Sequence, residues 1–384
     1  MHYRLLYITT QDRFFLSHLK DRAIYASNHG FKVFVAAQKT DEKFVREINE
    51  LGFDFFDTLI ERQALSPISQ VRALFRLREI VNKVKPDISH HLGAKAIIYG
   101  TLAHKLSTVS KVGSIVNAPI GLGYVYAAQE LKAWLLKPIV GLLYRLTLNP
   151  LNSQVIFENT DDLNYFLDKR VLDPKRSICI YGAGVDTELF SPSDAKNEIV
   201  TVVMASRLIK EKGVFDFIRA AEILKKNSVP ARMQLVGEPD YGNPNSLTKQ
   251  QFEDLKNNTA IECLGYRADM SCILKKAHIC CLPSFYREGL PRFLIEGVCS
   301  GLAIVTTDTV GCREVVVDKN GFLIKPHDVN SLVNAIKTLV DNPTLTMEMG
   351  NRSRNLALKF FDKNLICQQT LDVYQGLIRK KYNM

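Results

Sequence analysis

Two glutamates in the C-terminal half of the chain have a spacing that could do chemistry. Glu288 and Glu296 stand eight residues apart in YREGLPRFLIEGVCSGLAIVTTD, which begins at Tyr286. Paired carboxylates are the arrangement by which glycoside hydrolases protonate and attack a sugar. However, Pro291 suits the first position of a helix and Gly301 suits a helix end. We therefore predict a helix that begins at Pro291 and ends before Gly301. Glu288 then lies in the loop before this helix, and Glu296 lies more than one turn inside it.

This placement argues against a hydrolytic pair and favours a binding role. The loop that includes Gly289 and Leu290 leaves backbone amides at a helix start, where the amides and the helix dipole attract anions. A carboxylate in the same loop suits the hydroxyl groups of a sugar or a ribose. Each glutamate also has a structural interpretation, because Glu288 could cap the helix and Glu296 could be a surface or salt-bridged helix residue.

The second group of residues with chemical potential is a basic loop in ASRLIKEKGVFDFIRAAEIL, which begins at Ala205. Arg207, Lys210 and Lys212 follow a predicted strand and precede a predicted helix, and Gly213 relaxes the turn. Arg207 could hold phosphate oxygens with two N–H groups, while Lys212 would add a compact charge. Taken alone, the run favours a solvated basic loop over a phosphate site.

Alternating strands and helices must position these two loops. The N-terminal third and the region after residue 198 both alternate short apolar runs with helical patterns, which is typical of parallel α/β sheets. We predict two domains, at residues 1–182 and 199–361, joined by a linker at 183–198, with a ligand-binding cleft between them. The predicted strands are 5–9, 32–36, 87–90, 178–181, 199–205, 232–236, 261–263, 279–282, 303–306 and 321–324. The predicted helices are 18–29, 43–52, 72–84, 214–226, 270–277, 291–300 and 312–317.

The composition is that of an ordinary globular protein, but the charge is unevenly distributed. The chain has 384 residues, of which 46% are hydrophobic and 23% charged, and its net charge is +10. Between Arg62 and Arg145, twelve Lys or Arg stand against three Asp or Glu, so this segment alone carries +9. Such a surface should attract phosphates, acidic lipids or nucleic acid, unless it is a solvated face with no partner.

Cysteine usage and hydropathy indicate a reduced, non-spanning protein. The eight cysteines form no C-x-x-C pair and have no histidine at zinc-finger spacing, so we expect buried thiols in a cytosolic protein. No secretory signal opens the chain. Residues 131–148, LKAWLLKPIVGLLYRLTL, are interrupted by three basic residues and Pro138, which favours either a core helix or a helix at a membrane interface over a bilayer span.

In this order and spacing, the two loops resemble those of the retaining GT-B glycosyltransferases of the large group 1 family, family four. The matching segments include MASRLIKEKGVFDFIRAAEIL, LVGE, CLGYRADM and CCLPSFYREGLPRFLIEGVCSGLAIVTTDTVGCREVVVDKNGFLIKPHD. The resemblance extends over most of the chain and implies two Rossmann-like domains facing across a cleft, with a C-terminal helix at about 362–384 packed on the first. Among subfamilies, the chain is similar to bacterial enzymes that add sugars to polyprenyl-diphosphate-linked intermediates of surface glycans.

The resemblance implies a catalytic set of three residues in the two loops. Arg207 and Lys212 match the family's pair that binds the diphosphate of a nucleotide sugar and stabilises it as it leaves. Glu288 matches the glutamate that contacts hydroxyls of the donor hexose.

Further donor-binding residues follow from the same resemblance. The amides of Gly289 and Leu290 should lie close to the sugar or phosphate, and Glu296 matches the glutamate that holds the ribose hydroxyls. Tyr266 and Arg267 match the segment that lies against the base, mostly through its backbone.

The resemblance places the acceptor on the N-terminal domain. Residues 10–17 replace the family's common Gly-Gly loop with Gln-Asp-Arg-Phe-Phe, and Ala118 and Pro119 stand where many relatives have a histidine or an acid. No side-chain base is therefore assigned, and the two histidines of the acceptor segments could be structural. The acceptor-side candidates are Arg13, His90, His91, Lys95 and Gly121.

The mechanism that the resemblance implies is front-face attack, in which the leaving phosphate takes the acceptor's proton and catalysis lies in positioning and charge stabilisation. Because the chain has no D-x-D motif, we expect no metal and no cofactor. The expected partners are a nucleotide-sugar donor, with UDP favoured, a glycan or lipid-linked acceptor, and an anionic membrane on whose cytoplasmic face the protein works, without nucleic acid. Two alternatives stay open: a nucleotide-sugar 2-epimerase on the same fold, and a peripheral membrane or nucleic-acid binding protein that uses the basic segment.

Overall fold

The chain divides into two compact units. The first unit is Met1–Ala183 with Asn364–Met384, and the second is Gly184–Lys363. Residues from 184 to 198, which the sequence assigns to a linker, thus belong to the second unit, and the C-terminal end belongs to the first. The computed structural model describes residues 2–60, 67–108, 113–120, 131–150, 152–194 and 196–382.

The first unit is built on a parallel sheet. Its strands are β1 (Tyr3–Gln11), β2 (Phe31–Gln38), β3 (Asp54–Asp57), β4 (Ile88–Leu92), β5 (Ser114–Ala118), β6 (Ser153–Phe157) and β7 (Ser177–Cys179). Within the described residues the strand order is β3-β2-β1-β4-β5-β6-β7, and Tyr7 of β1 lies opposite His90 of β4. The chain order reverses between β1 and β4, which is the point in such sheets where ligands bind at the carboxyl edge.

Helices cover both faces of this sheet. They are α1 (Asp12–His18), α2 (Lys20–Asn28), α3 (Glu42–Glu50), α4 (Pro67–Val84), α5 (Ala94–Lys105), α6 (Leu131–Leu148) and α7 (Thr160–Asp168). Leu5 and Tyr7 of β1 enter the core with α1 and α2, whereas Leu6 and Ile8 enter the core with α4 and α5. Successive strand residues point to opposite faces, so the run from Leu5 to Ile8 in β1 is apolar because both faces of the strand are covered.

The first turn of the chain after β1 differs from the prediction. The expected loop over residues 10–17 is wrong, because β1 continues to Gln11 and α1 begins at Asp12. The buried Asp12 carboxylate accepts hydrogen bonds from the amides of Arg13 and Thr40, both at 2.7 Å, which fixes the start of α1. The helix predicted at 18–29 corresponds to α2 (Lys20–Asn28), and α1 precedes it where a loop was expected. The helix predicted at 72–84 begins earlier, at Pro67.

The second unit repeats the architecture with a parallel sheet of its own. Its strands are β8 (Val200–Ala205), β9 (Ala231–Val236), β10 (Glu262–Gly265), β11 (Ile279–Leu282), β12 (Ala303–Thr307) and β13 (Gly321–Ile324), in the order β10-β9-β8-β11-β12-β13. Its helices are α8 (Val214–Lys226), α9 (Lys249–Lys256), α10 (Met270–Lys276), α11 (Arg292–Cys299), α12 (Val329–Asp341) and α13 (Pro343–Phe360). The predicted α/β class with two Rossmann-like units is confirmed.

The last helix, α14 (Lys363–Tyr382), packs in the first unit. The Tyr374 hydroxyl lies 3.1 Å from the Tyr7 hydroxyl and 2.6 Å from Nδ1 of His90, and all three side chains are buried. This buried contact joins the C-terminal helix to the two central strands. Among the described residues, no helix combines the length and the apolar composition that a bilayer span needs.

Candidate active site

The centre of the candidate site is an ion pair between the two loops that the sequence singles out. Lys212 lies in a short 3-10 turn after β8, and its Nζ donates to the carboxylate of Glu288, in the loop between β11 and α11. Their side chains are 15% and 13% exposed. The Ser284 hydroxyl donates to the same Glu288 oxygen at 3.0 Å. The pair is therefore held in a fixed, largely buried position.

Gly213 makes this approach of the two loops possible. Its φ is +76°, a left-handed conformation that other residues rarely adopt, and a Cβ at this position would overlap the carbonyl oxygen of Pro283. Beside it, the Phe285 amide donates to the Glu211 carbonyl at 3.0 Å. A glycine between Lys212 and α8 thus lets the backbone of one loop rest directly on the other.

The Glu288 loop is also fixed from its other side. The Glu288 amide donates to the carbonyl of Val310 at 3.2 Å, and Gly311, with φ +83°, packs against the backbone of Gly289. Pro291 occupies the N-cap position of α11, while the Glu288 carboxylate accepts hydrogen bonds from Lys212 and Ser284. Pro291 was expected one position further in, as the first helical residue.

Arg207 extends the cationic side of the site. It follows β8 and its guanidinium donates to the Asp240 carboxylate at 2.6 Å, from the loop after β9. The Arg207 side chain is 50% exposed, so it is accessible to a ligand. Asp240 and Ser284 are partners that the sequence reasoning missed. Asp240 lies on a separate loop that no motif connects to Arg207, whereas Ser284 precedes Glu288 in the same loop, within the segment CCLPSFYREG.

Glu296 lies inside α11 and forms an ion pair with Arg292, one turn earlier, at 3.0 Å. Burial raises the pKa of Glu296, while Arg292 opposes the shift. The salt-bridged alternative raised by the sequence is thus present in the structure. A ribose-binding role for Glu296 stays a prediction.

The other donor-side candidates follow strand ends of the same sheet. Tyr266 comes directly after β10 and is 72% exposed, and Arg267 donates to Asp269 at 2.7 Å. Leu290 is buried beside α11. Because the carboxyl ends of parallel strands share one edge, the loops after β8, β9, β10 and β11 gather the donor-side candidates at that edge of the second unit.

The acceptor-side histidines are internal residues of β4. His90 and His91 are fully buried, and burial together with the nearby charge of Arg22 lowers the pKa of His90 to about 3. Nδ1 of His91 lies 2.9 Å from the side-chain oxygen of Asn117 and so carries the proton of that bond. These contacts favour the structural role that the sequence left open.

The remaining acceptor-side candidates are dispersed. Arg13 is exposed on α1, and Lys95 is partly exposed in the first turn of α5. Gly121 lies outside the described residues. Their roles stay predictions.

A buried acid at the end of β6 was missed by the sequence reasoning. Burial raises the pKa of Glu158 to about 7, against the opposing charge of Arg22 and with a smaller contribution from Asp162. Arg22 in turn donates to the carbonyl of Gly182, close to the end of the first unit. The available signal was a charged residue directly after the apolar strand SQVIF.

Two family models match the chain. "Glycosyl transferases group 1" matches residues 185–356, and "Glycosyl transferase 4-like" matches residues 4–159. The first stretch falls in the second unit and the second in the first unit, and together they account for most of the chain. The chain belongs to the group 1 family of glycosyltransferases and has the GT-B fold. It is therefore a glycosyl-transferring enzyme.

Individual relatives share this class. The chain is 26% identical, over 91% of its length and 92% of the relative's, to N,N'-diacetylbacillosaminyl-diphospho-undecaprenol alpha-1,3-N-acetylgalactosaminyltransferase of Campylobacter jejuni. It is 26% identical, over 83% and 82% of the two chains, to UDP-Gal:alpha-D-GlcNAc-diphosphoundecaprenol alpha-1,3-galactosyltransferase of Escherichia coli. The crystal structure of HepE of Anabaena in complex with UDP superposes with a TM-score of 0.75, at 18% identity, over 97% of this chain and all of that one. This last similarity shows the fold.

Proposed function

We propose that this chain is a retaining glycosyltransferase that moves a hexose or an N-acetylhexosamine from a UDP-sugar to a glycan or a polyprenyl-diphosphate-linked acceptor in surface glycan biosynthesis. The observation that carries the proposal is the buried contact of Lys212 with Glu288 at the carboxyl edge of the second sheet, with Arg207 in the same loop as Lys212. Such a constellation offers cations for a diphosphate and a carboxylate for sugar hydroxyls within one site. The two relatives named above carry undecaprenyl-diphosphate-linked sugars in their names, which supports the acceptor class.

The donor would be bound by an exchange of partners. Arg207 is paired with Asp240 and Lys212 with Glu288. A diphosphate entering this edge would replace the carboxylates as the partner of both cations, since phosphate oxygens accept the same charge-assisted hydrogen bonds. Glu288 would then be released toward the sugar hydroxyls. Glu296 would accept hydrogen bonds from the ribose.

The transfer itself needs little covalent chemistry from the protein. The bond between the sugar's anomeric carbon and the diphosphate oxygen breaks, and the acceptor hydroxyl oxygen forms its bond on the same face. The acceptor's proton passes to an oxygen of the leaving diphosphate, and UDP departs. Arg207 and Lys212 stabilise the charge that develops on the diphosphate, which is the dominant contribution when no nucleophile is used. The alpha linkages in the relatives' names support retention of configuration.

We further propose that the enzyme works at the cytoplasmic face of an anionic inner membrane. A lipid-linked acceptor is confined to a membrane surface, so an enzyme that uses it gains from being held there. The net charge of +9 between Arg62 and Arg145 supports this location, because anionic headgroups attract basic segments.

The proposal is tested by a thermal-shift screen of UDP-, GDP- and ADP-sugars on the full chain. A ligand present at about 100 times its Kd stabilises the folded protein by about 2.7 kcal/mol. We expect UDP-sugars to raise the midpoint, and expect the shift to shrink in Arg207→Ala. If no nucleotide sugar raises the midpoint, the proposed donor site is wrong.

A further inference from the structure

Helix α4 carries an apolar stripe on its solvent side. Ile68, Val71 and Phe75 are 75%, 52% and 51% exposed, and their spacing places them on one face of the helix. The opposite face of α4 packs into the core through Ala73 and Leu77. Isolated exposed apolar residues are common on protein surfaces, but a continuous stripe indicates an interaction site.

Arginines flank the stripe on both sides. On a helix of 3.6 residues per turn, Arg72 and Arg76 lie along one border and Arg78 along the other. Arg76 pairs with Glu79 at 3.2 Å, and Arg78 donates to the carbonyl of Leu106 at 2.7 Å. Arg76 also donates to the carbonyl of Asp57 at 3.2 Å, so these two guanidinium groups are anchored to the first unit, while Arg72 is exposed.

The neighbouring helices carry further exposed apolar residues at their C-terminal ends, toward the amino edge of the sheet and away from the stripe. Leu106 follows α5 and Leu146 lies near the end of α6, and both are exposed. The Lys105 ammonium donates to the carbonyl of Leu146 at 3.1 Å, so the ends of the two helices lie together. In sequence, α4, α5 and α6 carry nine Lys or Arg and one acidic residue, Glu79.

We infer that the stripe of Ile68, Val71 and Phe75 with its flanking arginines docks this chain on an anionic membrane. The apolar side chains would enter the boundary between headgroups and acyl chains, while the guanidinium groups meet anionic headgroups. A second copy of the chain fits this surface poorly, because a symmetric contact would bring two strongly basic faces together.

The direction of α4 shows which edge of the first sheet the stripe lies near. In a parallel sheet, a crossover helix starts near the carboxyl ends of the strands and runs back toward their amino ends. The stripe occupies the N-terminal half of α4, so it lies toward the edge at which ligands bind in such sheets. Membrane docking through the stripe rests on the proposed function, in which the acceptor is lipid-linked. It adds which surface of the first unit contacts the membrane.

The test is sedimentation of the full chain with vesicles, without nucleotide sugar or acceptor. Vesicles of phosphatidylglycerol and phosphatidylcholine should bind the wild type, and vesicles of phosphatidylcholine alone should bind it much more weakly. We expect Val71→Gln/Phe75→Gln to lower binding by at least roughly tenfold. Arg72→Gln should lower it by about fivefold and weaken its salt dependence.

A matched control uses exposed apolar residues on α13 of the second unit. Met347→Gln/Leu358→Gln removes two such side chains away from α4 and should leave vesicle binding unchanged. Wild-type binding that is equal on neutral vesicles, or unchanged binding of the stripe variant, overturns the inference. A stripe-dependent dimer without vesicle binding overturns it as well. Since no nucleotide sugar is present, these outcomes do not depend on whether the proposed transfer activity is correct.

Discussion

Lys212 and Glu288 form an ion pair across 76 residues of sequence, and both side chains are largely buried. The pair joins the loop after β8 to the loop after β11. An ion pair in this position stabilises the fold only while both partners are present, because either charge left alone is poorly solvated.

Removing one partner of this pair should therefore destabilise the second unit. We expect Lys212→Met or Glu288→Gln to lower the free energy of unfolding by about 3 kcal/mol, the lower end for a buried pair. The double variant should lose clearly less than the sum of the two single losses. Urea unfolding of the wild type, the two single variants and the double variant measures these free energies. Additive losses would show that the two side chains contribute to stability independently.

Arg207 should affect catalysis without affecting stability. Its pair with Asp240 is half exposed, and pairs of this kind contribute about 0–1 kcal/mol. We expect Arg207→Ala to lower turnover about 10²- to 10³-fold, the scale of losing one group that stabilises transition-state charge. Release of UDP reports turnover, and the thermal midpoint reports stability. Lys256→Ala is the control, because Lys256 is also an exposed cation paired with a carboxylate of the second unit, Glu253. Near-normal transfer by Arg207→Ala would count against the proposed site.

The buried histidines should make the protein sensitive to acid. Burial lowers the pKa of His90 to about 3 and that of His104 to about 4, below the usual 6.5. Between pH 6.5 and 4 the unfolded chain then binds more protons than the folded one, so stability falls as the pH falls through this window.

His104→Leu isolates part of this effect. Within the described residues, neither ring nitrogen of His104 has a hydrogen-bond partner, so an apolar side chain removes a buried polar group. We expect the midpoint of this variant to fall less than that of the wild type between pH 6.5 and 4. The exposed His2, replaced by Gln, is the control. Parallel pH profiles for His104→Leu and wild type would contradict the assignment.

Metal independence is a separate prediction. With Arg207 and Lys212 as the proposed diphosphate-binding groups, the cations that a divalent metal would supply come from the protein. We expect turnover to be unchanged by EDTA and by added Mg²⁺ or Mn²⁺. A loss of activity in EDTA that Mg²⁺ or Mn²⁺ restores would contradict this expectation.

Much of the second unit could be predicted from sequence. The bounds of β11, β13 and α8 agree with the predicted 279–282, 321–324 and 214–226, because each segment is flanked by glycine, proline or polar residues. The predicted short helix at 312–317 was too long, since only a 3-10 turn at Arg313–Val315 forms.

Other features depend on contacts that are distant in sequence. Asp12 fixes the start of α1 through Thr40, in the loop after β2, which no local pattern shows. The same holds for Asp240 as the partner of Arg207. The composition of both loops pointed to a site, but which carboxylate meets which cation depends on how the strands are ordered in the sheet.

The most direct test of the central claim is the product of a complete reaction. The full chain is incubated with UDP-sugars and a short-chain polyprenyl-diphosphate-linked sugar, and the product is analysed by mass spectrometry and by NMR of the new anomeric centre. We predict the addition of one hexose or N-acetylhexosamine, in the alpha configuration, with release of UDP. Absence of transfer from every UDP-sugar, or conversion of UDP-N-acetylglucosamine to its 2-epimer without acceptor, would contradict the account.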